Sequence, residues 1–166
     1  MIIVSYKKLK INIFSDDIII KIFLCSWKFA GLIFLFLMYY KLHVNVIEAV
    51  DIPKMDEKGT DAYCVVKAES EKHKTSIQVK TAHPHWSQAF HFKVSNPTNG
   101  VLKIKMKDHD PHKDDKISFI QIPYCSLPLG QNVDQWYDMI SYNPGLSGGK
   151  LHLYIHMAYH DQQPFR

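Results

Sequence analysis

Apolar and polar residues alternate with a period of two through most of the chain after residue 40. Leu42, Val44 and Val46 fall on one apolar face, while His43 and Asn45 fall on the opposite, outward face. Side chains of a β-strand point alternately to its two sides, so this pattern predicts a half-buried strand. The same alternation predicts strands at 90–94, 102–106 and 151–157.

Four further segments complete the predicted set of strands, at 61–67, 74–80, 117–124 and 134–137. Turn sequences rich in Gly, Pro and Asn separate the strands, such as NPTNG at 96–100 and NPG at 143–145. No segment has the period of an amphipathic helix. About eight short strands joined by such turns predict an all-β fold, an eight-stranded antiparallel β-sandwich.

The first 37 residues differ in composition from the rest and allow three interpretations. Residues 22–40 have the 19-residue length of a membrane span, but Lys28 lies inside them, at a cost of about 2.5 to 3.5 kcal/mol near a helix centre. The uninterrupted apolar run at 29–40 suits the core of a secretory signal, although no small-residue cleavage site follows it. Alternatively, Met38 is the true start, because Ile, Lys and Phe, which codons of A and T alone can encode, dominate the preceding residues.

The predicted organisation is therefore a hydrophobic leader at 1–37, one domain at 38–160 and a short tail at 161–166. With 46% hydrophobic and 22% charged residues, the composition is that of an ordinary globular protein with one core. The leader holds five Lys and two Asp, which leaves 15 basic and 14 acidic residues in the remainder. A nearly neutral domain does not favour nucleic acid as a partner.

Two acidic loops carry the candidate chemistry. The first is MDEKGTDAY at 55–63, and the second is DHDPHKDD at 108–115. Their aspartates are Asp56, Asp61, Asp108, Asp110, Asp114 and Asp115. A sandwich gathers its loops at two ends, and two ionised carboxylates about 4 Å apart repel by roughly 4 kcal/mol at an effective dielectric of 20. If both loops lie at one end, we expect a cation among them.

The donor chemistry favours Ca²⁺, which accepts six to eight oxygens at about 2.3 to 2.6 Å and tolerates irregular geometry. Mg²⁺ fits less well because it demands octahedral geometry. An EF-hand is excluded, since counting from Asp108 places Lys113 at the required Gly and Phe119 at the required Glu. An isolated acidic run is usually a solvated loop. The pairing of two such loops favours the calcium interpretation here.

These residues resemble the C2 domains of synaptotagmins and protein kinases C over nearly all of 41–157. LHVNVIEAVDIPKMD is similar to the opening strand and first loop of that family, and GTDAYCVV to its Gly-x-(Ser/Thr)-Asp-Pro-Tyr motif, with Ala62 in place of Pro. TAHPHWSQAFHF resembles the Asn-Pro-x-Trp signature, with His83 in place of Asn, and MKDHDPHKDDKIS resembles the third calcium loop. The position of the first strand and the closing GGKLHLYIHM resemble the circularly permuted, type II form of this Greek-key sandwich.

The resemblance implies a calcium site on the two loops. Its side-chain ligands would be Asp56, Asp61, Asp108, Asp110 and Asp115. Asp114 is the alternative to Asp115, because the second loop is one residue shorter than the usual form in the family. Backbone carbonyls of Met55 and His109 would complete the shell. The resemblance further implies calcium-dependent binding to anionic phospholipid membranes by a cytoplasmic protein that is peripheral at membranes, or single-pass anchored if residues 22–40 span.

The loop tips, EKG at 57–59 and PHK at 111–113, lack a large apolar side chain, so we expect membrane contact to be mainly electrostatic. A second basic surface resembles the phosphoinositide-binding strand of the family and comprises Lys67, Lys72, Lys74 and Lys80. The alternative is that these lysines only solubilise an exposed strand. The alternative function is a calcium-independent adaptor for a protein partner.

Zinc and catalysis are weaker interpretations. His152 and His156 share the outward face of a predicted strand without an obvious third ligand, so we expect exposed strand positions. The sequence contains no nucleophile elbow, phosphate loop or HExxH motif. We therefore expect a binding module and not an enzyme.

Overall fold

The computed structural model describes residues 39–55 and 59–159. The leader, the proposed start at Met38, the tail at 161–166 and the candidate ligand Asp56 lie outside the described residues. All described residues belong to one compact unit.

Within the described residues the fold is a sandwich of two antiparallel sheets. Its strands are β1 (Tyr40–Val50), β2 (Ala62–Ala68), β3 (Glu71–Lys74), β4 (His85–Val94), β5 (Val101–Asp108), β6 (Asp115–Pro123), β7 (Asn132–Asp138), β8 (Ile140–Ser141) and β9 (Lys150–Tyr159). A four-stranded sheet has the order β4-β1-β9-β7, and a five-stranded sheet has the order β3-β2-β5-β6-β8. Eight of these strands have four or more residues, which confirms the predicted all-β sandwich.

The predicted alternation builds the core between the two sheets. Leu42, Val44 and Val46 of β1 are fully buried and pack with Leu102 and Ile104 of β5 from the opposite sheet. Alternate residues of each strand face this core, because a pleated strand turns successive side chains to opposite sides. The apolar pattern was therefore sufficient to identify the strands that enclose the core.

The strand predicted at 74–80 is wrong. β3 ends at Lys74, and the buried Thr75 then accepts the Cys64 N–H on its side-chain Oγ1 at 2.8 Å. A side chain thus occupies a position that a backbone carbonyl takes in a regular ladder. The following residues return to β2 only at Gln78, whose N–H and carbonyl pair with Ala62. Lys80 ends this segment with φ +52°.

The exposure predicted for His156 is wrong, and its neighbour His43, which also faces outward, is buried as well. His43 and His156 do point away from the core, but they are only 8% and 0% exposed. His91, His43 and His156 are direct neighbours across β4, β1 and β9, and the Nδ1 atoms of His43 and His91 lie 2.5 Å apart. Burial, assisted by the neighbouring His91 and His156, lowers the pKa of His43 to about 4.

A bulge in β1 changes the phase of its side chains. Val46 pairs with Leu153 of β9, whereas Glu48 pairs with the next residue, His152, so β1 holds one extra residue between them. Continued alternation from Val46 would turn Glu48 into the core. The bulge turns Glu48 to the outer face and places Ala49 in the core instead.

Candidate functional site at the acidic loops

Three strand connections meet at one end of the sandwich, and Asp61 lies at their junction. The Asp61 N–H donates to Asp108 Oδ1 at 2.6 Å, and the Asp61 carbonyl accepts the His109 N–H at 3.0 Å. Asp61 Oδ1 accepts the backbone N–H of Lys80 at 2.8 Å. The connections that follow β1, β3 and β5 are therefore joined through one aspartate.

Strand register places Asp108 beside Ala62, the residue after Asp61, and opposite Asp115. Asp108 pairs with Ala62 of β2 on one side and with Asp115 of β6 on the other. Residues directly opposite in an antiparallel pair have Cβ atoms about 4.5 to 5.5 Å apart, and like charges there are destabilising. Asp108 is also only 3% exposed. Asp61, Asp108 and Asp115 are thus brought together around one buried carboxylate, that of Asp108.

The first loop is held by Thr60. Its Oγ1 donates to the Pro53 carbonyl at 3.0 Å and accepts the Met55 N–H at 3.1 Å. The Thr60 carbonyl accepts the N–H of Thr81 from the β3–β4 connection at 3.1 Å. These bonds fix the backbone on both sides of Asp56 and position Met55 beside the second loop. Asp56 itself lies outside the described residues.

Asp114 has a different environment from its neighbours. It accepts hydrogen bonds from Tyr63 Oη at 2.5 Å and from the backbone of Asp110, and it contacts His109 Nδ1 at 3.0 Å. Hydrogen bonding to Tyr63 and His109, assisted by Asp110 and Lys107, lowers the pKa of Asp114 to about 2. Burial, with the Asp114 hydrogen bond and charge, raises the pKa of Tyr63.

These contacts hold the β5–β6 loop through Asp114. The Asp115 side chain is exposed and makes no side-chain hydrogen bond or ion pair with the described residues. A cleft of about 340 Å³ opens beside the two aspartates. Its lining residues are Met55, Lys113, Asp114, Asp115, Lys116, Tyr142 and Asn143. The cleft therefore combines carboxylates with two lysines.

The predicted basic residues separate into two groups. Lys67 and Lys72 are direct cross-strand neighbours, and Lys74 lies above the Tyr63 ring at 5.2 Å, so these three share the outer face of the five-stranded sheet. Lys80 lies instead at the acidic-loop end, where its N–H bonds Asp61.

The outer face carries further lysines that sequence reasoning missed. Lys103 pairs with Lys67, Lys105 with Val65 and Lys107 with Tyr63. The face therefore presents Lys67, Lys72, Lys74, Lys103, Lys105 and Lys107, which we call the lysine face. The alternation of Lys with apolar residues at 102–107 was the available signal, but only the pairing of β2 with β5 joins the two sets.

Among residues 39–55 and 59–159, no three His, Cys, Asp or Glu side chains are already grouped as ligands of a metal ion. No helix in the described part of the chain has the length and apolar character to cross a membrane.

Two antiparallel sheets packed face to face, with acidic loops at one end, define an all-β sandwich domain. The profile of the C2 domain family matches residues 40–139, and the chain belongs to this family. Synaptotagmin-1 of Aplysia californica is 37% identical over 108 residues, which cover 61% of this chain and 25% of that protein. FT-interacting protein 7 of Oryza sativa subsp. japonica is 31% identical over 75% of this chain and 17% of that protein.

The solved structures agree with this assignment. A C2 domain of a plant extended synaptotagmin 1 superposes with a TM-score of 0.64 at 22% identity, covering 76% of this chain and 95% of that domain. The chain spans a quarter or less of the two curated relatives described above. Their similarity therefore identifies the domain and the membrane- and lipid-binding class of module to which it belongs.

Proposed function

We propose that this domain binds anionic phospholipid membranes in a calcium-dependent manner. The observation that carries the proposal is the convergence of Asp61, Asp108 and Asp115 at one end of the sandwich. Oxygen donors at this density match the ligand preference of Ca²⁺. We assign the side-chain ligands as Asp56, Asp61, Asp108, Asp110 and Asp115, with the carbonyls of Met55 and His109.

The contacts of Asp114 support the choice of Asp115 as the fifth ligand. Asp114 would have to give up Tyr63 and His109 to coordinate an ion, whereas Asp115 would lose no bond among the described residues. Asp115 also lies directly opposite the buried Asp108. Asp114 then serves the site by holding the loop that carries Asp110.

The lysines around the loops supply the proposed attraction for lipid. Lys80 lies beside Asp61, and Lys113 and Lys116 line the cleft next to Asp115. Bound Ca²⁺ would cancel the negative charge of the carboxylates and leave these lysines unopposed. Each basic residue near an anionic surface contributes about 1 kcal/mol, so binding is weak and sensitive to salt.

The lysine face gives the proposed interface a second part. Its six ammonium groups suit polyanionic headgroups and lie on a sheet face outside the acidic loops. We place the protein peripherally at the cytoplasmic side of membranes, and we assign it no catalytic activity.

Calorimetric titration of the full chain with Ca²⁺ tests the metal site. We expect saturable binding that is lost in the double variant Asp108→Asn, Asp110→Asn. The second measurement is sedimentation with phosphatidylserine vesicles, with Ca²⁺ and with a chelator. Sedimentation only with both Ca²⁺ and anionic lipid supports the proposal. A protein that remains in solution under all of these conditions contradicts it and favours the adaptor function with a protein partner.

A further inference from the structure

The connection between β8 and β9, residues 142–149, lies at the acidic-loop end of the sandwich. The Tyr142 N–H donates to the Ile117 carbonyl at 3.0 Å, close to the start of β6 at that end. β9 then begins at Lys150, which pairs with Val50, the last residue of β1. Both ends of this connection, which we call the β8–β9 loop, therefore lie next to strand ends that carry the acidic loops.

A tight turn at the tip of the β8–β9 loop exposes Leu146. The Leu146 N–H donates to the Asn143 carbonyl at 3.2 Å, with Pro144 and Gly145 between them. Gly145 has φ +90°, and a Pro followed by a Gly of positive φ is typical of a type II turn. A Cβ atom added at Gly145 would meet nothing within 4 Å, so the tip projects into open space. Leu146 itself is 49% exposed.

Backbone contacts hold the base of the β8–β9 loop on both sides of the turn. Ser141 Oγ accepts the Asn143 N–H at 3.1 Å and donates to the Asn143 carbonyl at 3.0 Å. The Gly149 carbonyl accepts the Met139 N–H at 2.9 Å, and a side chain at Gly148 would overlap the Met139 carbonyl. The loop is thus preorganised, and a surface that binds its tip has little conformational entropy to remove.

Lysines lie beside the base of this turn. Asn143 lines the same cleft as Asp115, together with Lys113 and Lys116. Lys116 Nζ also lies 5.5 Å from the centre of the Tyr142 ring. An apolar side chain next to basic residues suits the boundary of an anionic bilayer, where ammonium groups meet the headgroups and the apolar group reaches the acyl chains. The match to a membrane-binding class of domain makes lipid the partner that fits this surface.

We propose that Leu146 inserts into the acyl-chain boundary of an anionic membrane when the acidic loops dock there. The inference rests on the proposed membrane binding and deepens it. The tips at 57–59 and 111–113 lack a large apolar side chain, and the β8–β9 loop supplies one. Salt screens the attraction between lysines and headgroups, whereas it does not screen the burial of an apolar side chain. Binding therefore has an apolar part in addition to its salt-sensitive electrostatic part.

Sedimentation of the full chain with phosphatidylserine vesicles in Ca²⁺ tests the proposal. Leu146→Ala should weaken the affinity for vesicles by about threefold to tenfold, because burial of the exposed part of the side chain is lost. The same fold-loss should persist at high salt, where the contribution of the lysines shrinks.

Leu129→Ala is the matched control. Leu129 is 36% exposed and also lies in a turn, between Pro128 and Gly130. The Gly130 N–H donates to the carbonyl of Met157 at 2.7 Å, near the end of β9 that is farthest from the acidic loops. Leu129→Ala should therefore leave the affinity for vesicles unchanged.

A second measurement reports the position of the side chain itself. In Leu146→Trp, vesicles with brominated acyl chains should quench tryptophan emission beyond the quenching seen in the natural sequence. Leu129→Trp should show no such excess. Thermal unfolding of each variant without lipid shows whether the variant is folded.

The outcomes separate this inference from the proposed membrane function. Equal affinities of Leu146→Ala and the natural sequence, an equal loss in Leu129→Ala, or no excess quenching in Leu146→Trp would each overturn the insertion of Leu146 and leave membrane binding in place. Failure of the natural sequence to bind anionic vesicles at all would overturn both.

Discussion

Asp114 and Asp115 are adjacent in the chain, but their side chains have different roles at the acidic end. Asp115 lies directly opposite the buried Asp108 on the neighbouring strand, whereas Asp114 contacts Tyr63 and His109. We expect Asp115→Asn to lower the calcium affinity at least tenfold, about 1.4 kcal/mol, because it removes a charged ligand. Asp114→Asn should cost less affinity. Calorimetry of the two variants compares them directly, and a larger loss in Asp114→Asn would reassign the fifth ligand.

His43 should make the fold sensitive to acid. Its pKa is about 4 in the folded protein and 6.5 in the unfolded chain, so the unfolded state binds more protons between these values. The free energy of unfolding therefore falls as the pH drops from 6.5 towards 4, by roughly 2 kcal/mol at pH 4.5 from this group. Urea unfolding at about pH 7 and pH 4.5 measures the change.

His43→Gln serves as the control for that titration. Other groups lose stability in acid in both proteins, so the difference between them isolates His43. The variant should lose roughly 2 kcal/mol less than the natural sequence over the same interval. An equal loss in both proteins would exclude His43 as the cause.

The β5–β6 loop depends on one contact with a neighbouring strand. Tyr63 Oη of β2 donates to Asp114 across the lysine face and holds the loop that contains Asp110. Tyr63→Phe should lower the free energy of unfolding and weaken calcium binding, because it removes the hydrogen bond that holds this loop. Denaturant unfolding and calorimetry measure both effects.

Tyr142→Phe is a suitable comparison for Tyr63→Phe. The Tyr142 hydroxyl makes no hydrogen bond within the described residues, although its ring contacts Phe119 and Lys116. We expect little change in stability or calcium affinity. Equal effects of the two substitutions would mean that the Tyr63 hydrogen bond does not hold the loop.

The lysine face forms because strand pairing brings lysines of different strands next to each other. Lys67 and Lys103 are direct neighbours on β2 and β5. Replacing both by Gln should weaken binding to phosphatidylserine vesicles by roughly 2 kcal/mol, and the difference should shrink at high salt. Lys41 and Lys93 form the corresponding pair on β1 and β4, so their double replacement removes the same charge from the other sheet. Vesicle sedimentation should show a smaller loss for that control.

Calcium should stabilise the whole domain, since its proposed ligands come from segments far apart in the chain. An ion that binds only the folded protein adds about 2.7 kcal/mol to the free energy of unfolding at about 100 times its dissociation constant. We expect a higher midpoint of thermal unfolding with Ca²⁺ than with a chelator. The Asp108→Asn, Asp110→Asn variant should show no such difference. A midpoint that is insensitive to Ca²⁺ in the natural sequence would argue against the site.

Local patterns in the chain were enough to predict the sandwich and the composition of the acidic loops. Alternation reports which side of a strand is buried, and this depends only on the pleat of neighbouring residues. Leu42, Val44 and Val46 therefore identified β1 and its inner face correctly. The strand predicted at 74–80 was wrong because the side chain of Thr75, and not a backbone carbonyl, accepts the Cys64 N–H. The alternation of apolar and polar residues carries no information on such a bond.

Contacts between distant segments decided what these patterns left open. Hydrogen bonds distinguished the surroundings of Asp114 from those of Asp115 and placed Lys80 at the acidic end. Strand pairing added Lys103 to the basic surface, and the bulge before Glu48 turned that residue to the outer face. The last two outcomes depend on which residue of a distant strand lies opposite. Register is a property of two segments together, and neither segment carries it alone.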